Sequence, residues 1–533
     1  MEEKDTQAVP EIDLFEEPEA EKQPKKQKKK KSKATRIILW SLLGIVVLAL
    51  IGGGVYAWHI CNRPGLFFKT SSRVTTEPTA EATPLFDIDA YLPADDPNEK
   101  PIPTFMPTAT PENGGAEHTA DGNGSDQLSG IVNIALFGID AYESGRSTSG
   151  TMPHTDANVI VAVNFDTKEV SLISIARDCM TTIPGYRGFY KFNGVFNVGG
   201  GMNDPKAGFE LSCRTAEEWI GGVSIPYYYG VDFQALIDLV DMIGGIDFNV
   251  DIKLYLFDGR RISPGMQHLD GMGVMAYMRM RKTAGGLDSK RTARQRKMLV
   301  AIFKKLKQEG KLSMIPDLLK TMDDNVYTNT NFSQTTSLVN FAKDIDPDSI
   351  KTYSIQGEIS LKYDWAFCFI DQQARKDILK EVYGIDAAPI GVNSVVYERF
   401  LHKGGFLAMQ YMTITERLFE AVHGLADADS MSEEQKTAYA ACWKDYQNLQ
   451  KQFAYADQWM QAHYDESIPL TAEEKQEQTD IYQDLTNLEA KLKKSANELN
   501  KTFDKPIMLE WNRDLTRWYD QANYINEVYV DFR

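Results

Sequence analysis

An arginine-rich segment, AYMRMRKTAGGLDSKRTARQRKML (276–299), has the residue types and spacing that could hold phosphate. Arg279 and Arg281 are two residues apart, so on the strand predicted over 274–282 both side chains point to one face. A helix is predicted over 289–308, and three- and four-residue spacing places one stripe of it toward the core. The stripe begins with polar residues and ends with apolar ones: Arg291, Arg294, Gln295, Met298, Leu299, Ile302 and Leu306.

An inward-facing arginine cluster predicts an anionic partner, because unpaired buried charge is costly. Planar guanidinium groups bind phosphate oxygens in pairs, which explains arginine rather than lysine, and a helix N-terminus adds partial positive charge. The alternative is a network of internal salt bridges with Asp or Glu. Asp288, at the start of the helix, either caps it or takes part in the chemistry.

A second group of polar residues lies at predicted strand ends. Asp140 ends the first strand, Asp156 precedes the second, and Arg177 and Asp178 end the third. Ends of neighbouring strands converge at one sheet edge, so these side chains are expected to share a site. Singly, each Asp is more often a turn residue or a cap. Together with the arginines, paired carboxylates predict a binding site for Mg²⁺ or Mn²⁺ beside phosphate.

The elements that must position these residues alternate between strands and helices. The run IVNIALFGID (131–140) is typical of a buried strand, and 158–165 and 169–176 form a hairpin around Asp166-Thr167-Lys168. Helices are predicted over 210–220 and 233–245. Residues 131–388 are therefore expected to form an α/β domain with one mixed sheet flanked by helices. Residues 389–533 carry long helical patterns at 406–423, 431–464 and 472–503, which predict an all-α C-terminal region.

The N-terminal part predicts a single membrane span. Residues 37–58 contain no charge, and about 20 apolar residues suffice to cross a bilayer. The basic block at 25–36 predicts a cytoplasmic N-terminus and an extracellular remainder; a cleaved signal peptide is the alternative. The expected organisation is a disordered cytoplasmic tail (1–36), a transmembrane helix (37–60), a linker (61–130), the α/β domain and the C-terminal region.

Composition excludes several other classes. A net charge of -17 argues against nucleic-acid binding. The five cysteines form no zinc spacing; they are either isolated thiols or include a Cys179–Cys213 disulfide. Seven histidines and no G-x-S-x-G elbow after a strand argue against a Ser-His-Asp hydrolase.

Several of these segments together resemble the LytR-CpsA-Psr family of Gram-positive cell-wall enzymes. The resemblance covers roughly residues 131–385. It also covers the predicted order of cytoplasmic tail, membrane helix and extracellular domain. It rests on the HTDANVIVAVNFDTKEVSLISIARD block (154–178), YKFNGVF, GVDFQALIDLVDMIGGIDFNV, LDGMGVMAYMRMRK and DSKRTARQ. The DxxRxxRQ spacing after an RxR pair is the most specific of these features.

The resemblance implies a function and a set of site residues. The function is transfer of a glycopolymer, such as teichoic acid or capsule, from an undecaprenyl-pyrophosphate carrier to peptidoglycan, with pyrophosphatase activity as a side reaction. Asp140 and Asp156 would hold the metal, and the polyprenyl chain would lie in an apolar tunnel between sheet and helices. The pyrophosphate would be clamped by Arg177, Arg279, Arg281, Arg291 and Gln295, supported by Asp288 and Arg294, with Lys191 and Asn193 lining the site. Asp178 would orient or deprotonate the acceptor hydroxyl.

Two positions depart from the family pattern. His154 stands where the family usually has arginine, two residues before the second metal-binding aspartate, and Arg146 in the preceding loop is a candidate replacement. Ala176 stands where proline is usual. The rival hypotheses are therefore a catalytically weak polyprenyl-phosphate-binding protein and a regulatory scaffold. The C-terminal helices are expected either to mediate self-association or to be a solvated appendage.

Overall fold

The computed structural model describes residues 67–73, 84–93, 101–103, 128, 130–141, 152–256, 258–280, 288–322, 324–360 and 366–511. The predicted tail and transmembrane helix lie outside these ranges, as do Arg146, Arg281 and the side chain of Asp288. Among the helices within them, none combines the length and the apolar composition of a membrane span. The predicted topology therefore stays a prediction.

The centre of the fold is a six-stranded mixed sheet in the order β11 (Val326–Thr328), β6 (Tyr227–Val231), β1 (Ile131–Ile139), β2 (Thr155–Asn164), β3 (Glu169–Ile175) and β12 (Lys351–Ile355). Strands β1 and β6 are parallel, as are β3 and β12, whereas β2 is antiparallel to both of its neighbours. This confirms the predicted mixed sheet and its hairpin. The strands are β1 Ile131–Ile139, β2 Thr155–Asn164, β3 Glu169–Ile175, β4 Met180–Ile183, β5 Tyr186–Lys191, β6 Tyr227–Val231, β7 Ile246–Val250, β8 Leu254–Tyr255, β9 Arg261–Ile262, β10 Gly265–Leu269, β11 Val326–Thr328, β12 Lys351–Ile355, β13 Gly357–Ser360 and β14 Phe367–Ile370.

Helices cover both faces of this sheet, and most begin at a polar residue whose side chain accepts a hydrogen bond from the first turn. Asp232, for example, caps α3 by accepting from Ala235 N–H. The helices are α1 Val195–Val198, α2 Pro205–Trp219, α3 Phe233–Met242, α4 Gly271–Arg279, α5 Asp288–Gln308, α6 Ile315–Thr321, α7 Phe332–Asp344, α8 Gln372–Tyr383, α9 Val395–Phe400, α10 Phe406–Leu425, α11 Glu433–Ala462 and α12 Ala472–Lys501.

The strand predicted over 274–282 is wrong, because residues Gly271–Arg279 form helix α4. Four consecutive residues, Val274 to Tyr277, are buried, and a short continuous apolar run fits a buried strand or a buried helix equally well. The deciding signal is Asp270, which accepts a hydrogen bond from Gly273 N–H and caps the helix. Arg279 is thus the last residue of a helix, and strand alternation does not place it.

The C-terminal region is helical, as predicted, and shares a hydrophobic core with the sheet. One continuous hydrophobic cluster contains Ile160 and Ile173 of the sheet together with Leu418, Trp443 and Leu485 of α10, α11 and α12. The boundary predicted at residue 388 stays a prediction, but described residues on both sides of it share this core. Four of the five cysteines are described; all four are buried and none of them is in a disulfide, which removes the Cys179–Cys213 disulfide.

Candidate active site

Polar residues from four central strands meet at one edge of the sheet. Because β1, β3 and β6 run in the same direction, the residues that follow them lie at the same edge: Asp140 after β1, Arg177 and Asp178 after β3, and Asp232 after β6. The antiparallel β2 begins there, with Asp156 as its second residue rather than before it. This convergence brings the predicted acidic residues together.

Asp156 is the extra residue of a β-bulge. Gly138 pairs with Ala157 and Ile139 with Thr155, so one step along β1 spans two steps along β2. Such a bulge breaks the alternation of side chains and redirects one of them. Gly138 permits the close approach, since a Cβ there would lie 3.0 Å from Ala157 Cβ. Thr155 is fully buried, whereas Asp156 reaches the cations of the site.

Each of the two carboxylates Asp156 and Asp178 lies between two cations. Arg177 Nη1 is 2.7 Å from Asp156 Oδ1, and Arg291 Nη1 is 3.5 Å from Asp156 Oδ2. Arg177 Nε is 3.2 Å and Lys191 Nζ 3.4 Å from the Asp178 oxygens. The Arg291 side chain is 3% exposed, and those of Arg177, Asp156 and Asp178 are 13–15% exposed. The network is therefore largely shielded from water. Charge–charge interactions are stronger in such surroundings than they are in water.

Gln295 and Asn193, two further predicted site residues, link this network to the backbone. Gln295 Nε2 donates to the Asp156 carbonyl at 3.4 Å. Asn193 N–H donates to the Arg177 carbonyl at 3.0 Å, while the Asn193 carbonyl accepts from Thr155 Oγ1 at 3.5 Å. Asn193 thus links the end of β3 to the start of β2, which fixes the spacing of Arg177 and Asp156.

Asp140 and His154 form a tight local pair. Asp140 Oδ1 accepts a hydrogen bond from His154 N–H at 2.6 Å, and Asp140 N–H donates to the His154 carbonyl at 3.0 Å. This places the Asp140 carboxylate beside the start of β2, two residues before Asp156. The backbone rather than the imidazole of His154 makes these two contacts.

Arg279 and Arg294 approach the same edge from the helices. The Arg279 guanidinium lies 4.6 Å from the Phe233 ring centroid, and Phe233 N–H donates to the carbonyl of Ala141, the residue after Asp140. Arg294 is 3% exposed and donates from Nε to the Tyr277 carbonyl at 3.3 Å and from Nη2 to the Met280 carbonyl. Arg294 therefore fastens α5 to the end of α4 next to Arg279.

Two neighbouring residues were not singled out from the sequence. Phe233 lies under the Arg279 guanidinium, but the sequence indicates only that it is the first apolar residue of an amphipathic helix. Arg296 follows Gln295 on α5, and its Nη1 is buried with no hydrogen-bond partner in the part of the chain that the structure describes. Burial lowers the pKa of Arg296. Neither residue breaks the helical pattern, so the pattern alone gives no signal for them.

Positive charge exceeds negative charge among the described side chains of the site. The carboxylates at this edge are Asp140, Asp156, Asp178 and Asp232, and the cations are Arg177, Lys191, Arg279, Arg291 and Arg294. Internal salt bridges, the alternative explanation for the arginine cluster, are present but leave one positive charge in excess. The arrangement therefore suits an anionic ligand.

A divalent cation would find two suitable ligands at this edge. No three His, Cys, Asp or Glu side chains within the described ranges are grouped closely enough to hold a metal ion. Mg²⁺ needs no such group, because it usually takes one or two carboxylates and completes its shell with water and phosphate oxygens. Asp140 and Asp156 supply carboxylate oxygens, the ligand type that Mg²⁺ prefers. Asp140 Oδ1 contacts His154 N–H, and the two oxygens of Asp156 contact Arg177 and Arg291.

The ionisation of Asp178 reflects this environment. Burial by itself would raise the pKa of its carboxyl group, but Arg177, Lys191 and Arg291 together outweigh burial and the repulsion from Asp156, so the pKa is lowered from its ordinary value of 3.8. Asp178 is therefore ionised throughout the neutral range and binds protons weakly.

We expect Asp178→Asn to flatten the acid side of the pH–stability curve. A carboxyl group whose pKa is lowered by folding contributes stability fully above its unfolded-state pKa and loses it as the pH falls through the folded-state pKa. The variant should therefore unfold at lower urea concentration than the wild type at pH 7, and the difference should shrink below about pH 5. A difference that stays constant down to the lowest pH at which both fold would contradict the lowered pKa.

The chain matches a protein-family model and several known proteins. The LytR_cpsA_psr family model matches residues 108–383, just over half of the chain. The TagU polyisoprenyl-teichoic acid–peptidoglycan teichoic acid transferase of Bacillus mycoides (strain KBAB4) is 28% identical over 305 residues, covering 56% of this chain and 81% of TagU. The TagU of Enterococcus faecalis (strain ATCC 700802 / V583) is 30% identical over 199 residues, covering 37% of this chain and 61% of its own.

Solved structures are similar over about half of the chain. The crystal structure of B. subtilis TagV is 24% identical with a TM-score of 0.40, covering 49% of this chain and 98% of TagV. A structure of TagT bound to LIIa-WTA is 25% identical with a TM-score of 0.39, covering 49% of this chain and 93% of TagT.

Proposed function

Because this chain belongs to the LytR-CpsA-Psr family, we propose that it is a phosphotransferase that moves a glycopolymer from a polyprenyl-pyrophosphate carrier to peptidoglycan. The observation that carries the proposal is the shielded cationic group at one sheet edge, in which Arg177 and Arg291 flank Asp156 while Arg177 and Lys191 flank Asp178. The two TagU relatives are polyisoprenyl-teichoic acid–peptidoglycan teichoic acid transferases by name, which makes a teichoic-acid-like polymer on a polyisoprenyl carrier the first candidate; undecaprenyl is the carrier that the family resemblance implies. The proposed place of action is the outer surface of the cell membrane, with the chain anchored by residues 37–60.

In this mechanism the arginines bind the two linked phosphates and stabilise the charge that develops during transfer. A sugar hydroxyl of peptidoglycan attacks the phosphorus attached to the polymer, a new O–P bond forms, and the P–O bond to polyprenyl phosphate breaks. Negative charge grows on the bridging oxygen, and guanidinium groups fixed before the reaction stabilise it without reorganisation. Arg177 and Arg291, held by Asp156, are positioned in this way.

Asp178 is better suited to orient the acceptor than to remove its proton. An effective general base has a pKa near the working pH, and the cations around Asp178 lower its pKa instead. Its carboxylate can accept a hydrogen bond from the attacking hydroxyl and so aim the oxygen at phosphorus. The proton then leaves with solvent or with a phosphate oxygen as the new bond forms.

A divalent cation held by Asp140 and Asp156 is part of the proposal. When bound, Mg²⁺ or Mn²⁺ would neutralise charge on the phosphate oxygens. The residues contribute by holding their carboxylates in place: Asp140 through His154 N–H, and Asp156 through Arg177.

The lipid chain is proposed to lie between the sheet and the layer formed by α5 and α7. Leu136 and Val161 lie on the central strands β1 and β2, yet both side chains are only partly buried. Near the site this face carries the small residues Gly138 and Ala157, which are also partly exposed. Central strands covered by helices normally bury such residues fully, so space remains along this face beside the cations.

The proposed reaction is tested by release of polyprenyl phosphate from a synthetic polyprenyl-pyrophosphate-linked oligosaccharide, with full-length protein in detergent and peptidoglycan fragments as acceptor. We expect Mg²⁺-dependent transfer by the wild type. Arg279→Ala should lower kcat/KM by about 30- to 1,000-fold, equivalent to about 2–4 kcal/mol of lost transition-state stabilisation. Unchanged transfer by this variant would mean that Arg279 does not clamp the substrate.

A matched control is Arg214→Ala, which removes the same charge from an exposed position on α2 and should leave transfer unchanged. The rival function, lipid binding without transfer, is favoured by His154 in the position where the family usually has arginine. Tight binding of the lipid by the wild type with no metal-dependent release of polyprenyl phosphate would establish that rival.

A further inference from the structure

Strand β5 runs from the C-terminal helices to the candidate active site. Its pairing with β4 is irregular: the four steps from Tyr186 to Tyr190 lie opposite only two steps of β4, and Gly188 has a positive φ of 117°. Regular alternation therefore does not place its side chains, and their contacts do. Lys191 pairs with Asp178 in the site. Arg187 and Phe189, earlier on the strand, contact residues after position 389.

The contact at Arg187 is a three-residue cluster. Arg187 Nη1 lies 2.7 Å from Glu416 Oε1 on α10, and the Tyr446 hydroxyl on α11 donates to the same oxygen. Burial works against the charge of Arg187, but Glu416 and Tyr446 outweigh it and raise the pKa of the guanidinium. The side chains of Arg187 and Glu416 are 33% and 29% exposed, so the pair is partly shielded.

Two further contacts fix the rest of the β4–β5 hairpin against the C-terminal region. The Phe189 ring is 5.1 Å from the Tyr397 ring of α9. Asn393 is 1% exposed and donates from Nδ2 to the carbonyls of Met180 at 2.9 Å and Cys368 at 3.0 Å. Met180 is the residue opposite Lys191 in the hairpin. The hairpin is thus attached to the C-terminal region at its far end, its middle and its site end.

We propose that the C-terminal helices act as a positioning element that sets the place of Lys191 in the active site through the Arg187–Glu416–Tyr446 cluster. Arg187 is a positioning residue in this proposal, because it touches Lys191 only through the strand. The proposal rests on the proposed function for its kinetic test. It assigns a role to residues beyond 389, where the family similarity has ended.

A double-mutant cycle with Lys191 tests the proposal in full-length protein. We expect Arg187→Ala to lower kcat/KM by about tenfold, since small displacements of a binding group reduce rates strongly. In a Lys191→Ala background the same change should have almost no further effect, because the group that it positions is gone. A merely stabilising role predicts equal fold-changes in both backgrounds, and that result would overturn the proposal.

The control is Arg399→Ala, which breaks a comparable ion pair with Glu466 inside the C-terminal region and should not alter kcat/KM. If Arg187→Ala does not fold, as judged by thermal unfolding, Glu416→Gln enters the same cycle, because it weakens the cluster while keeping its shape.

A second readout separates this proposal from the proposed function. The cycle is repeated on the Kd for polyprenyl pyrophosphate, which needs no turnover. Coupling of Arg187 and Lys191 in Kd, with no transfer by the wild type, would support the positioning role and reject the transferase. Transfer by the wild type without coupling in either quantity would reject the positioning role alone.

Discussion

Arg291→Ala should nearly abolish transfer, with a loss in kcat/KM of about 1,000-fold. The side chain is 3% exposed, and its Nη1 lies 3.5 Å from the Asp156 carboxylate at the centre of the cationic group. Its loss removes a cation that no water molecule can replace at equal strength in a shielded site. Steady-state transfer kinetics with lipid-linked substrate measure the effect.

Two companion variants make this result interpretable. Lys297→Ala removes one positive charge from the exposed side of the same helix and should leave kcat/KM within about twofold of the wild type. Arg291→Lys keeps the charge but loses the paired N–H groups, so it should recover only part of the activity. Full activity of the lysine variant would show that charge alone matters, and full activity of Arg291→Ala would exclude Arg291 from the site.

Asp156→Asn should raise the Mg²⁺ concentration needed for half-maximal transfer by about tenfold or more, as expected when a carboxylate ligand is lost. The same change removes one of the two carboxylate partners of Arg177 and the carboxylate that lies 3.5 Å from Arg291 Nη1. The pyrophosphate then meets more uncompensated positive charge, so its KM should not increase. A titration of transfer rate against Mg²⁺, with EDTA-treated enzyme as the starting point, measures both quantities.

The control for this variant is Asp166→Asn in the exposed turn at the opposite end of β2. It makes the same chemical change just beyond the other end of the strand and should leave the Mg²⁺ requirement unaltered. If Asp156→Asn needs no more Mg²⁺ than this control, Asp156 is not a metal ligand and serves the arginines alone.

Local sequence patterns predicted most of the fold. The β1 run, the β2–β3 hairpin and helix α5 lie within a few residues of their expected positions, because each is dominated by its own apolar pattern and turn residues. The helical pattern of the sequence also predicted the three long C-terminal helices. Two of them, α11 and α12, begin at capping boxes at Ser432 and Thr471.

Features that depend on neighbouring elements could not be predicted. The apolar run before Arg279 predicts a strand, but the segment is a helix. Burial on all sides removes the periodicity that distinguishes a helix from a strand. The bulge at Asp156 requires the register with Gly138, which one strand alone does not contain. The convergence of Asp140, Asp156 and Arg177 was expected, but the pairing of Asp156 and of Asp178 with two cations each emerges only from the fold.

The shared hydrophobic cluster has a consequence for how the chain matures. Ile131 of the first strand and Leu499 of α12 belong to the same core, so this core cannot be completed before α12 has been synthesised. Part of its apolar surface stays exposed until then. We therefore expect truncations that stop at residue 383, where the match to the family model ends, to aggregate, and the growing chain to need chaperones until α12 has been added.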